Sequence, residues 1–262
     1  MHIMSFNWKN IKIEDILPIA IEAGEKIMDI YENEDFSKIV DFKSDNSPLT
    51  LADKEANIII ERGLSKLASI PILSEEGREI GYEERKNWTH FWVVDPLDGT
   101  KEFIKKNGQF TVNIALIEGN APVIGVIYAP AQDVLYYAKK GEGAYKKKGT
   151  EVIVLSTKKK ESGWISVGSS SHSAPEEVNI LKKYPVVQST AIGSSLKFCL
   201  LAEGKADIYY RHGPTMEWDT AAGQAILEIS GGKMVDSNNE IFTYNKESLL
   251  NGSFLCLAYD TF

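Results

Sequence analysis

Apolar residues recur at helical spacing near the start of the chain. Ile13, Ile16, Leu17, Ala20, Ile21, Ile27, Met28 and Tyr31 mark one face of an amphipathic helix. Residues 50–68 repeat the pattern with Ala56, Ile59, Ile60, Leu64 and Leu67, and the first turn of this second helix carries Asp53. Between the two, the polar stretch 41–48 predicts a loop. A short strand over 70–73 runs into Ser74-Glu75-Glu76-Gly77, and the charged residues 78–90 predict a mobile surface segment. The run Phe91-Trp92-Val93-Val94 predicts a buried strand. Three more apolar runs, 110–117, 123–128 and 134–138, predict strands paired antiparallel. The lysine- and glycine-rich stretch 139–160 predicts a solvated hairpin and the boundary between an N-terminal half, 1–145, and a C-terminal half, 146–262. The second half alternates strand 164–168, helix 175–183, strand 186–188, helix 194–202, strand 208–210, helix 219–230 and strand 254–258. Gly231-Gly232 ends the last helix as a C-terminal cap. Alternating elements imply a mixed α/β protein whose sheets are covered by helices.

Composition narrows the chemistry. The 262 residues suffice for one large domain or two tightly joined halves. A net charge of −8 argues against nucleic acid or an anionic membrane surface as a partner. Cys199 and Cys256 lie in apolar surroundings and read as reduced, buried thiols of a cytoplasmic protein. The first residues show no basic segment followed by an apolar core, so no signal peptide is expected. The longest apolar runs are too short to span a bilayer. Loose attachment to the inner face of a membrane stays open, as does a homodimer.

The buried run 91–94 ends in Asp95-Pro96-Leu97-Asp98-Gly99-Thr100. Pro96 and Gly99 force a turn, so Asp95 and Asp98 sit at the carboxyl end of a strand. Two carboxylates held that close repel each other unless a cation lies between them. Hard cations such as Mg2+ suit the place, and such a site points to phosphate chemistry; the alternative is a turn whose Asp residues only cap backbone groups. Glu75 also follows a strand, and Asp219 opens a helix. In layered α/β proteins ligands gather at strand carboxyl ends and helix amino ends. Read alone, Glu75 is a solvated carboxylate, and Asp53 and Asp219 are helix caps.

Leu73-Ser74-Glu75-Glu76-Gly77, Asp95-Pro96-Leu97-Asp98-Gly99-Thr100 and Trp218-Asp219-Thr220-Ala221-Ala222-Gly223 resemble, in order, the three signatures of the inositol monophosphatase superfamily. Its members are lithium-sensitive, magnesium-dependent phosphatases. Lys101-Glu102-Phe103, the stretch 107–115, and Gly193-Ser194-Ser195-Leu196-Lys197-Phe198-Cys199 are similar to the bacterial 3'(2'),5'-bisphosphate nucleotidases within it. The resemblance implies the layered αβαβα sandwich of that superfamily. It implies that Glu75, Asp95 and the backbone carbonyl of Leu97 hold a first Mg2+, and that Asp95, Asp98 and Asp219 hold a second; two or three ions fit the family. Thr100 would polarise the attacking water, with Asp53 as its orienting carboxylate and Glu75 beside it as the third member of the catalytic set. Gly99, Thr100, Ser194 and Asp219 would line the substrate site, with His172 near the nucleoside and Lys197 and Arg211 on the phosphate that is not cleaved. Lys43 would support the metal site from outside. The implied substrate is adenosine 3',5'-bisphosphate, a small molecule, hydrolysed to AMP by direct in-line attack of water. This chain reads Ser169-Ser170-Ser171-His172 where the nucleotidases usually read Ser-Arg-Ser-His, so Ser170 removes a positive charge near the nucleotide.

Three rival readings remain. An inositol or sugar phosphate phosphatase would use the same site; Lys101-Glu102 and the Gly193 segment argue against it, and Ser170 argues for it. An aspartyl-phosphate phosphatase needs two aspartates separated by one residue, whereas Pro96 and Leu97 both intervene here. A non-catalytic nucleotide-binding protein would be expected to lack at least one of the carboxylates, and all are present.

Overall fold

The computed structural model describes residues 6–33, 40–42, 48–169 and 174–259. Lys43, Ser170 and His172 therefore lie outside the described residues. The two amphipathic patterns form α1 (Ile13–Asn33) and α2 (Leu51–Leu67). Ile16, Ala20, Ala23 and Ile27 of the first, and Ala56, Ile60 and Leu64 of the second, are fully buried against one face of a sheet. Between the helices, β1 (Val40–Phe42) and β2 (Pro48–Thr50) pair antiparallel where polarity predicts only a loop. Strands of three residues are too short for an alternating pattern to show.

The sheet has seven strands in the spatial order β3 (Ile72–Ser74), β4 (His90–Asp98), β5 (Thr111–Glu118), β6 (Ala121–Ala129), β7 (Val134–Lys139), β8 (Gly143–Lys148) and β9 (Glu151–Leu155). β3 runs parallel to β4, and all other neighbours are antiparallel. Trp92, Val94, Ile114 and Leu116 join the core under α1 and α2, while Phe91, Val93, Ala115 and Ile117 join a second core on the opposite face. Burial on both faces explains why 91–94 is uniformly apolar. The lysine-rich hairpin is β8 and β9, the edge of this same sheet, so the 145/146 division falls within β8 and the chain leaves the sheet after Leu155.

The charged segment 78–90 departs from expectation. It contains a helical turn, α3 (Tyr82–Arg85), and Arg85 is buried. The Arg85 guanidinium donates to Asn245 Oδ1 at 3.0 Å and to the carbonyls of Lys246 and Glu247 at 2.5 and 2.7 Å. An arginine whose terminal nitrogens are held by acceptors so distant in sequence cannot be told from a surface charge by its neighbours in the chain.

A second sheet has five strands in the order β11 (Val186–Ala191), β10 (Trp164–Gly168), β12 (Ile208–Arg211), β16 (Phe254–Leu257) and β14 (Lys233–Asp236). β10 is parallel to β11 and β12, and β16 is antiparallel to β12 and β14. β13 (Thr215–Met216) and β15 (Leu250–Asn251) pair antiparallel as a separate ribbon, and β14 escaped prediction because Lys-Met-Val-Asp has no clear alternation. Two helices, α6 (Leu196–Ala202) and α7 (Glu217–Ile229), lie between the sheets and share one core with both. α7 lies so close to β6 that a Cβ on Gly125 would fall 2.5 Å from the Ala222 carbonyl oxygen, so only glycine fits. α5 (Pro175–Leu181) packs against β12. The layers are helix, sheet, helix, sheet, helix, as the αβαβα expectation has it.

Candidate active site

β4 positions two of the carboxylates through an irregularity. Asp95 lies opposite Asn113 of β5, and the next pair is Asp98 opposite Thr111. Three steps on β4 match two on β5, so one extra residue bulges out at Pro96-Leu97. Pro96 has no N–H to give to the ladder, which suits it to a bulge. In an unbroken strand, residues three apart point to opposite faces. The extra residue returns Asp98 to the side of Asp95 and leaves Leu97 buried in the core under α1 and α2.

Glu75, Asp95 and Asp219 present carboxylate oxygens within 4.8 Å of one another. Glu75 directly follows β3, and its N–H donates to the Val94 carbonyl at 3.1 Å, which sets it beside Asp95. Asp219 lies in the first turn of α7 and accepts the Met216 N–H at 2.8 Å. Burial, reinforced by Glu75, Asp98, Asp219 and Asp53, holds the Asp95 carboxyl well above the usual range. Burial, then Asp98 and Glu75, raises Asp219 likewise. Asp98 is pushed up to about 6 by burial, against the pull of Lys197, the Ser195 N–H and Asn113. Buried carboxyl groups that resist ionising together fit a cation between them. A donor set of carboxylate oxygens alone fits a hard ion such as Mg2+. Leu97, the fifth position of the inferred set, donates its N–H to Asp95 Oδ1 at 3.0 Å.

A short helix, α4 (Thr100–Ile104), follows β4. Its first residue places Thr100 Oγ1 3.3 Å from Asp53 Oδ1 and 3.4 Å from the Leu97 carbonyl oxygen. Asp53, in the first turn of α2, is buried. Gly99 makes the turn possible: its φ is +94°, and a Cβ there would lie 3.0 Å from the Gln109 carbonyl. Among the described residues, the geometry thus joins a threonine hydroxyl, a buried aspartate and the bulge.

Two backbone N–H groups of the segment before α6 are occupied within the protein. The Gly193 N–H donates to Gln109 Oε1 at 2.8 Å, and the Ser195 N–H donates to Asp98 Oδ2 at 2.5 Å. Ser195 Oγ donates to Asn113 Oδ1 at 2.7 Å and meets Thr111 Oγ1 at 2.8 Å, while Asn113 Nδ2 reaches Asp98 Oδ2 at 3.4 Å. The motif stretches 107–115 and 193–199 therefore form one network that grips Asp98 from β5 and from the start of α6. Ser194 sits at φ +52° and lines the cavity.

That cavity has a volume of 420 Å3, within the range of about 300–1,000 Å3 usual for small-molecule sites. Glu75, Asp98, Gly99, Thr100 and Asp219 line it together with Lys197 and Arg211. Asp53 and Asp95 are buried. Lys197 Nζ donates to the Ser194 carbonyl at 2.6 Å. Burial pulls the Lys197 ammonium down, Asp98 supports it and Arg211 opposes it. Arg211 Nη1 lies 3.9 Å from Glu177 Oε1. Three aromatic rings, Phe198, Tyr209 and Phe254, also line the cavity, with centroids 5.4–6.2 Å apart. Sequence reasoning missed these three. Their apolar context, helical for Phe198 and strand-like for Tyr209 and Phe254, is the same for a core residue and for a cavity wall.

The Inositol monophosphatase family model matches residues 12–259. The 3'(2'),5'-bisphosphate nucleotidase CysQ of Shigella flexneri is 43% identical over 249 residues, covering 94% of this chain and 100% of that protein. The CysQ of Salmonella typhimurium is 44% identical over 251 residues, with 94% and 100% coverage. The crystal structure of CysQ from Bacteroides thetaiotaomicron, a bacterial member of the same family, superposes with a TM-score of 0.83 at 43% identity, covering 94% of this chain and 97% of that one. The layered fold, the ordered motifs and these likenesses agree: the chain belongs to the inositol monophosphatase family.

Proposed function

We propose that this chain is a Mg2+-dependent 3'(2'),5'-bisphosphate nucleotidase that removes the 3'-phosphate of adenosine 3',5'-bisphosphate, leaving AMP. The observation that carries the reading is a single cavity lined by members of the carboxylate cluster, by Lys197 and Arg211, and by three aromatic rings. The nucleotidase relatives support it. In this reading Glu75, Asp95 and the Leu97 carbonyl hold one Mg2+, and Asp95, Asp98 and Asp219 hold another. When bound, such ions lower the pKa of water and neutralise charge on a transferring phosphoryl group and its leaving oxygen.

The chain's own residues supply position. Asp53 accepts the Thr100 hydroxyl hydrogen, so the oxygen lone pairs of Thr100 face outward to accept from the attacking water. That hydrogen bond fixes the water's direction and keeps a proton acceptor within reach. Lys197 and Arg211 hold the phosphate that is not cleaved through charge-assisted hydrogen bonds. Phe198, Tyr209 and Phe254 offer apolar surface to the nucleoside. Asp95 is buried and accepts the Leu97 N–H, which suits a ligand better than a nucleophile.

Phosphate release should be compared across adenosine 3',5'-bisphosphate, its sulfated form, inositol 1-phosphate and fructose 1,6-bisphosphate, with Mg2+ and with chelator. One charge-assisted bond to the second phosphate is worth about 1.5–3 kcal/mol, so kcat/KM should favour the bisphosphate over inositol 1-phosphate by roughly tenfold or more. Arg211→Ala should then reduce activity on the bisphosphate far more than on inositol 1-phosphate. A preference of the unmodified protein for inositol 1-phosphate overturns the reading in favour of a sugar phosphate phosphatase.

A further inference from the structure

Glu217, two residues before Asp219, has no solvent exposure at all. Its carboxylate accepts the Asn245 N–H at 2.8 Å, the Lys246 N–H at 3.0 Å and the Lys246 ammonium at 2.7 Å. Lys246 Nζ also donates to the Thr243 carbonyl and to Asn251 Oδ1, each at 3.1 Å. Asn251 turns its amide back to the Met216 carbonyl at 2.7 Å and to Thr220 Oγ1 at 3.2 Å. On its far side the same loop is pinned by Arg85, and Asn245 Nδ2 returns a bond to the Arg85 carbonyl at 2.8 Å. Asn245 adopts φ +63°, a left-handed conformation that carries strain and persists where the surroundings enforce it.

We propose that the Glu217–Lys246 pair is a positioning device for Asp219. The pair fixes the first turn of α7 against the 243–251 loop, and Asp219 hangs from that turn through the Met216 N–H. An ion pair whose carboxylate is fully buried is a poor choice for stability alone, since apolar residues of similar size often do as well. What the pair adds is direction: several bonds converge on residues 215–220, the segment that aims the Asp219 carboxylate at Glu75 and Asp95. Arg85 extends the chain of contacts to α3, in the connection between β3 and β4. Glu217 and Lys246 touch no substrate in this account; they act through Asp219.

The inference rests on Asp219 being a cation ligand, so the test separates the two ideas. Mn2+ binding to the full-length protein, followed by electron paramagnetic resonance without substrate, is the primary readout. Thermal unfolding, kcat and KM are measured on the same samples. Glu217→Gln should remain folded and bind Mn2+ about tenfold more weakly, the effect usual for removing a partner that orients a ligand. Added metal should restore its kcat while KM for substrate stays unchanged. Should Glu217→Gln fail to fold, Lys246→Met is read in the same way, because that side chain reaches the surface. Unaltered Mn2+ affinity in a folded variant overturns the proposal alone. Absence of Mn2+ binding in the unmodified protein, or affinity that survives Asp219→Asn, overturns the metal reading and the proposal with it.

Discussion

At the scale of single residues, the site separates side chains that set charge from those that set direction. Asp98 does both: it lines the cavity and is gripped by the Ser195 N–H and Asn113. Asp98→Asn keeps an oxygen for the Ser195 N–H, so the fold should survive, as circular dichroism would show. Turnover should fall by more than about 100-fold, beyond what losing an outer partner of a ligand costs. Near-normal Mg2+-dependent phosphate release would refute the ligand assignment. Thr100 gives a cleaner division. Thr100→Val removes the hydroxyl that bonds Asp53 and should lower kcat by about 10²-fold or more, the usual share of proton-transfer assistance. Thr100→Ser should recover most of it. A Thr100→Val kcat equal to that of Thr100→Ser would show that the hydroxyl does not carry the rate.

At the scale of elements, backbone shape decides which residues meet. Gly99 lies between β4 and α4 in a left-handed turn beside the Gln109 carbonyl. Gly99→Ala should cost about 1–3 kcal/mol and lower Tm by roughly 3–10 °C. Activity should drop more steeply than stability, because the turn aims Thr100. Calorimetry alongside turnover would expose the reverse order. The elements also show what a sequence carries openly. The helical faces of 13–31 and the apolar run 91–94 were legible because period and burial coincide there. The ribbon β1–β2, the strand β14 and the anchoring of Arg85 were not, since short strands leave no period and a buried ion looks like an exposed one. The acidic motif was plain, yet the β4 bulge that turns Asp98 toward Asp95 appears only once β5 is paired with it. Likewise the stretches 107–115 and 193–199 could be matched to a family, but their mutual grip on Asp98 depends on contacts across more than 80 residues.

At the scale of the whole molecule, the site lies where the two sheets face each other, and its acids oppose ionisation together. Asp98 titrates near 6 in the fold against an ordinary 3.8. Between those values the folded chain holds a proton that the unfolded chain has released. Its contribution is therefore fully present below about 4 and is lost as pH rises through 6, a change of about 3 kcal/mol in order of magnitude. Asp95 and Asp219, raised in the same direction, extend the loss upward. In chelator, the unmodified protein should lose more Tm between pH 5 and 7.5 than Asp98→Asn does, and Mg2+ should narrow the gap. Parallel Tm profiles for the two proteins would contradict this. The single extra residue in β4 carries a different kind of consequence. The number of residues between Asp95 and Asp98 has parity. Exchanging Pro96 or Leu97 for another residue alters packing by degrees, but gaining or losing one residue swings Asp98 to the opposite side of the sheet. Composition in this segment can drift through small steps, whereas its length can change only in pairs without dismantling the site.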